Sequence, residues 1–222
     1  DIDPLQVRTS RRPLAAGHIR PALAAVIGAA LIALSLALSW QLNWIVTLFI
    51  SLGALTYVVI YTCWLKRRTT QNIVIGGLAG SWASLSGWFT TSHEVSLIPI
   101  LLALIVFLWT PVHFWSFSLA HLSDYRRAGL PMLPVVAGAR KAIRHIFIYA
   151  ILSLFASGLL LLSGSFKSIY LAGWLLMAAL FCLSNILLLK GRSPQWAPVN
   201  YKVSGLYLLG IFLSMGLDAS LA

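Results

Sequence analysis

An all-α integral membrane protein is the fold class this sequence predicts, on three observations: an apolar composition, repeated apolar runs of bilayer-spanning length, and cations confined to the breaks between them. The 222 residues are 59% hydrophobic and 9% charged, with a mean hydropathy of +0.89. Soluble domains carry about 25% charged residues. No water-soluble core absorbs so much apolar surface. A formal charge of +11 would suggest nucleic acid as the partner of a soluble chain, but here the basic residues sit at span ends and read first as topology determinants. The bilayer is the expected partner, and no nucleic acid is expected.

A membrane helix needs about 20 mostly apolar residues. Seven segments meet or approach that length: 22–39, 42–65, 73–90, 95–122, 144–163, 168–190 and 201–219. The second ends on Lys66, Arg67 and Arg68. The third contains IGGLAGSWASLSGW, whose Gly and Ser suit close packing inside a bundle better than contact with lipid; a buried central helix is expected. The fourth carries Pro111 and His113, and the last three rest on hydropathy. Cys63 and Cys182 lie far apart in apolar runs, with no metal-binding spacing, and read as small core residues. The chain opens on Asp1-Ile2-Asp3 without an initiator methionine or a signal-peptide pattern, so it is expected to be N-terminally incomplete.

Crossing the membrane seven times sorts fifteen of the sixteen Lys and Arg residues to one side and leaves only Lys167 on the other. The positive-inside rule makes the richer side cytoplasmic, with loops near 1–21, 66–72, 123–143 and 191–200. Asp1, Asp3 and Asp124 share that face, whereas Glu94 and Asp218 are opposite. Carboxylates among clustered cations are not required by topology.

Three stretches can carry chemistry. In DIDPLQVRTSRRP, Asp1 and Asp3 precede Arg8, Arg11 and Arg12, a set able to hold a hard cation beside a polyanion, because Mg²⁺ favours one or two carboxylates plus phosphate oxygens. A solvated loop with ordinary topology arginines is the plainer alternative. In YTCWLKRRTTQN, the Lys66 to Arg68 cations suit phosphate oxygens or simply anchor a helix end at the headgroups. In WTPVHFWSFSLAHLSDYRRAGLPMLPVVAG, His113 is an ionisable group at membrane depth and hence a functional candidate. Pro111 is expected to bend the span before it. Phe114, Trp115 and Phe117 offer aromatic surface, or packing. Were the helix continuous, His113 and Asp124 would lie about 20° apart around its axis, with His113 about 16 Å deeper.

In order along the chain, DIDPLQVRTSRRP, YTCWLKRRTTQNIVIGG, and WTPVHFW followed by SDYRRAGLPMLPVVAG resemble the signature stretches of the haem O synthase (protohaem IX farnesyltransferase) family of the UbiA prenyltransferase superfamily. The likeness runs from Asp1 to about Gly138. It implies a nine-helix bundle with aspartate-bearing cytoplasmic loops after helices two and six, so that the seven spans are helices 3 to 9 of a single transmembrane prenyltransferase domain in the cell (inner) membrane.

The resemblance also implies roles: Asp3, Asp124 and Lys66 in catalysis; Asp3, Asp124 and Asp1 on Mg²⁺; and Arg8, Arg12, Lys66, Arg67, Arg68, Asn72, Tyr125 and Arg126 on the diphosphate. His113 and Trp115 would face haem. The implied substrates are farnesyl diphosphate and haem B, and the product haem O links the chain to haem-copper oxidase maturation. The superfamily's first motif reads roughly Asn-Asp-x-x-Asp-x-x-x-Asp; Asp3 matches its last aspartate, and its opening is absent. Val112 replaces a common second proline, and Leu122 and Ser123 replace a Lys or extra Asp, which puts a second Mg²⁺ in doubt. A quinone precursor or other aromatic acceptor is the alternative substrate, and a non-catalytic assembly or transport protein the alternative class.

Overall fold

In the computed structural model, residues 2–92, 94–191 and 194–221 are described; Asp1 and Arg192 lie outside them. The described residues are helical throughout, without strands. Six helices are long and apolar enough to cross a membrane. After a 3-10 turn at Asp3–Leu5 come α1 (Pro21–Leu42) and α2 (Trp44–Ala54), which continues as a π-helix, Leu55–Trp64, and a 3-10 turn, Leu65–Arg67. The chain goes on through α3 (Asn72–Gly76), α4 (Leu78–Thr91), α5 (Leu97–Ala120), α6 (Leu122–Arg127), α7 (Leu133–Val136), α8 (Ala139–Leu159, extended by a 3-10 turn), α9 (Ser168–Gly191) and α10 (Ala197–Leu221).

Six of the seven expected spans are thus single long helices, and the third is broken. Asn72–Thr91 divides at Gly77 into α3 and α4, neither long enough to cross a membrane alone. The backbone is closely approached at this point: a Cβ on Gly77 would lie 3.1 Å from the Val74 carbonyl oxygen and 3.2 Å from Thr110 Cβ. The same glycine-rich stretch lets α4 approach α5, where a Cβ on Gly80 would come within 2.8 Å of Val106, and Ser81 donates a hydrogen bond to the Ala103 carbonyl at 2.9 Å. The segment packs between α2 and α5, but in α4 only Ser81 and Phe89 are buried, so the buried central helix expected here is a partly exposed one.

The π-helix coincides with the β-branched run of LTYVVIYTC, whose side chains crowd the preceding turn of an α-helix. Thr62 supports the wider turn by donating to the Tyr57 carbonyl five residues back, at 2.7 Å. Cys63, expected in the core, is exposed on this helix, and Cys182 is half-buried; apolarity alone does not distinguish a lipid-facing from a core-facing position.

The densest part of the fold is the cluster of α5, α8, α9 and α10. Trp115, Phe181, Tyr170 and Tyr207 are buried there, and the Phe181 and Tyr207 rings stack with centroids 4.2 Å apart. Polar groups pair with one another: Asn200 donates to Ser116 at 2.9 Å and accepts from Ser184 at 2.8 Å. Asp218, on the side opposite the clustered cations in the sequence reading, is buried and caps the start of α9, accepting from the backbone N–H groups of Lys167 and Ile169 at 2.6 and 3.0 Å. Helix N-termini carry unpaired N–H groups and a positive dipole end, so a carboxylate there is stabilising.

The continuous helix assumed between His113 and Asp124 is not present. It runs through Pro111 but stops at Ala120, and His121 (φ −119°, ψ 35°) separates it from α6. Asp124 therefore belongs to a short surface helix rather than to the face that carries His113.

Candidate functional site

Five parts of the chain meet at one end of the bundle around a cavity of about 270 Å³. The N-terminal segment contributes Asp3, Arg8 and Arg12, the end of the second span Tyr61 and Lys66, α5 Phe114 and Phe117, and α6 and α10 contribute Tyr125 and Tyr201. Cations, phenol hydroxyls and aromatic rings share the cavity wall. Of the residues singled out in the sequence, Asp3, Arg8, Arg12, Lys66 and Tyr125 are brought together on this wall.

The N-terminal segment holds its own shape. Thr9 donates its hydroxyl to the Asp3 carbonyl at 2.8 Å, and Arg12 Nη1 pairs with Asp3 Oδ2 at 3.1 Å. That pair is largely exposed and contributes little to stability; its value is to keep a guanidinium beside a carboxylate. Arg8 lies over Phe117, 4.9 Å from the ring centroid, and donates to Gln6 Oε1 at 3.3 Å. Lys66 Nζ sits 6.0 Å from the Tyr61 ring. Arrangements of this kind direct positive charge into a partly desolvated space, where it acts more strongly on an anion than in water.

Asp124 is buried next to Tyr125 in α6. Burial pushes the Tyr125 hydroxyl above its ordinary range, Arg8 pulls it down, and Asp124 and Tyr201 add to the rise. The phenol thus stays protonated and able to donate. Among the described residues no three His, Cys, Asp or Glu side chains form a metal-binding group. Of the three aspartates expected on Mg²⁺, Asp3 lines the cavity, Asp124 does not, and Asp1 lies outside the described residues.

An apolar cavity of about 90 Å³ shares Tyr61, Ile73 and Phe114 with the first and adds Tyr57, Gly76 and Thr110. Gly76 is required by the close approach of Tyr61, since a Cβ there would sit 2.7 Å from the ring.

His113 lies behind this wall. Its ring packs on Trp109 and Tyr201 with centroids 4.5 and 4.3 Å away, and Tyr201 in turn packs on Phe117 at 5.0 Å. Nδ1 is 2.9 Å from Ser204 Oγ. The Ser204 hydroxyl also reaches the Tyr201 carbonyl at 2.7 Å, so His113 is tied to the first turns of α10.

Other expected residues lie elsewhere. Trp115 points to the opposite side of α5, buried against His145 and Tyr149 of α8 at 6.2 and 5.5 Å; two residues along a helix turn a side chain by about 200°. Asn72 is fully buried and donates to the Thr69 carbonyl at 2.7 Å, closing the turn after Lys66. Arg67, Arg68 and Arg126 are exposed and off the cavity wall. The wall also includes residues that the sequence did not single out, namely Tyr61 and Tyr201, with Ser204 behind. Tyr201 and Ser204 open an apolar span of ordinary hydropathy, and nothing local marks them.

A profile of the "UbiA prenyltransferase family" matches residues 1–213. Protoheme IX farnesyltransferase of Symbiobacterium thermophilum is 41% identical over 224 residues, covering 100% of this chain and 75% of its own length. Protoheme IX farnesyltransferase 1 of Paramagnetospirillum magneticum is 42% identical over 219 residues, covering 98% and 77%. Among solved structures, one of a digeranylgeranylglyceryl phosphate synthase superposes with a TM-score of 0.80 at 21% identity, covering 99% of this chain and 78% of that one. At that identity the likeness is one of fold.

Proposed function

The chain belongs to the UbiA prenyltransferase family, and on that premise we propose that it transfers a farnesyl group from farnesyl diphosphate to a vinyl group of haem B, with addition of water, to give haem O and diphosphate. The observation that carries this reading is the cavity whose wall Arg8, Arg12 and Lys66 share with Phe114, Phe117 and Tyr201, with Arg8 over the Phe117 ring. An allylic diphosphate has the same order of chemistry, an anionic head on an apolar chain. The names of the relatives at about 40% identity support haem as acceptor.

In this reading the C–O bond between the allylic carbon and diphosphate breaks, and the electron pair leaves with diphosphate. Arg8, Arg12 and Lys66 stabilise the charge that grows on the leaving group, with the Tyr125 hydroxyl as a further donor. Phe114, Phe117 and Tyr201 present ring faces to the allylic cation and exclude water from it. The vinyl electrons of haem then close on the allylic carbon, and water adds to the new cation with loss of a proton. The farnesyl chain extends into the apolar cavity bounded by Tyr57, Gly76 and Thr110. His113, next to Tyr201, is the group proposed to orient haem. Asp3 and Asp124, together with diphosphate oxygens, would hold Mg²⁺, whose chemistry when bound is Lewis-acid stabilisation of the departing diphosphate.

The chain is a multi-pass membrane protein. Its single prenyltransferase domain is proposed to sit in the cell membrane with the site's mouth cytoplasmic, on the strength of the charge asymmetry, and to supply haem O for haem-copper oxidases. The test is incubation of the purified membrane protein with haem B, farnesyl diphosphate and Mg²⁺, with mass analysis of the extracted haem. Haem O is the expected product; unchanged haem B alongside prenylation of an added 4-hydroxybenzoate would replace the acceptor, and no transfer to either would overturn the reading.

A further inference from the structure

A second cavity, of about 650 Å³, lies between the start of α8 and the end of α9, lined by Arg140, Ile143, Arg144, Leu189 and Lys190. Three cations from two helices converge on it, and all three are exposed. No acidic side chain of the described residues pairs with them. It shares no residue with the farnesyl diphosphate site and has no part in the reaction proposed above. The connectivity places it at the same end of the bundle, because α5 ends and α8 begins on the side where Tyr125 lies.

The side chains deeper along both helices settle the kind of ligand. Along α8, Ile148, Leu152 and Phe155 succeed Arg144 at steps of four, four and three and are 53%, 44% and 66% exposed. Along α9, Ile186 and Leu183 precede Lys190 at steps of four and three and are also exposed. Such spacing keeps each series on one side of its helix. A cationic recess at the membrane surface therefore runs into two apolar strips directed toward the hydrocarbon. Its pattern matches an amphiphile with an anionic head and acyl chains, and arginine forks suit phosphate oxygens in particular.

We propose that this groove is a binding site for an anionic phospholipid of the surrounding leaflet, with Arg140, Arg144 and Lys190 on the headgroup phosphate and the acyl chains against α8 and α9. Helix-end cations that merely set topology would show no preference for these positions over others on the same face.

The experiment uses the lipid-depleted protein in detergent and counts retained adducts by native mass spectrometry after addition of dioleoyl phosphatidylglycerol or dioleoyl phosphatidylcholine. The comparison is between a groove variant, R140Q/R144Q/K190Q, and an equally discharged control, R11Q/R20Q/R127Q, whose positions are exposed and outside both cavities. Direct charge-assisted contacts to one phosphate give roughly tenfold each, so the groove variant should lose phosphatidylglycerol by tenfold or more while the control, without such contacts, retains most of it. Arg144→Glu alone gives the same reading should the triple variant fold poorly. Equal retention of the two lipids, or equal loss in the two triple variants, would overturn the proposal. So would displacement of the lipid by millimolar glycerol 3-phosphate, which would mark a soluble-phosphate site, or by haem B.

Discussion

His113 Nδ1 lies in hydrogen-bond contact with Ser204 Oγ at 2.9 Å, across the interface of α5 and α10. The contact holds the tilt of the ring, which also packs on Trp109 and Tyr201. Ser204→Ala should leave the ring free to turn and lower kcat/KM for haem severalfold, the size of a lost net hydrogen bond of about 1 kcal/mol, with KM for farnesyl diphosphate unchanged. His113→Ala should lose more. Steady-state rates with each substrate varied in turn check both, and a matched rise in KM for farnesyl diphosphate would place His113 at the wrong end of the site.

Arg8 and Lys66 reach the cavity from different segments, and each keeps an aromatic partner. Replacing either with Gln should raise KM for farnesyl diphosphate roughly tenfold, given about 1.5–3 kcal/mol for a charge-assisted hydrogen bond. Arg20→Gln, at an exposed position before α1, should leave it unchanged. Isothermal titration with farnesyl diphosphate and Mg²⁺ measures the difference directly.

Gly76 allows Tyr61 to lie against the α3 backbone. A methyl group there must displace the ring, at a cost of about 1–3 kcal/mol for overpacking, and the ring's open direction is the cavity it lines. Gly76→Ala is therefore expected to impair turnover of farnesyl diphosphate more than that of the shorter geranyl diphosphate. A competition assay with both donors reads the ratio; an unchanged ratio would remove the chain from this cavity.

Asn200 connects α10 to α5 and α9 through Ser116 and Ser184. Asn200→Leu leaves the Ser116 hydroxyl without its partner in a buried setting, at about 1–3 kcal/mol, whereas Ser184 keeps the Phe181 carbonyl. The thermal midpoint in detergent should fall by several degrees, whereas Ser220→Ala at the exposed end of α10 should not move it.

Asp218 and Lys167 were separable in the sequence only as two charges on the sparsely charged face, and the structure makes one the cap of the other's helix. Asp218→Ala is expected to lower the thermal midpoint more than Glu94→Ala does, with the KM values of the folded fraction retained. Thermal scanning followed by kinetics on the same sample checks this.

The amino-acid sequence by itself determined the membrane class, the approximate ends of the helices, the side on which charge collects, and the residues Asp3, Arg8, Arg12, Lys66 and Tyr125 that meet at the cavity. These were legible because bilayer thickness and hydropathy act locally along the chain, and because the motifs are contiguous. Tertiary structure alone decided that the third span breaks at Gly77, that the helix bearing His113 ends before Asp124, that Trp115 turns toward α8 instead of His113, and that Tyr201 and Ser204 complete the site from the last helix. Each of these depends on a contact between residues far apart in the chain. In lipid the outward and inward faces of a helix are both apolar, so composition does not disclose which face meets which neighbour.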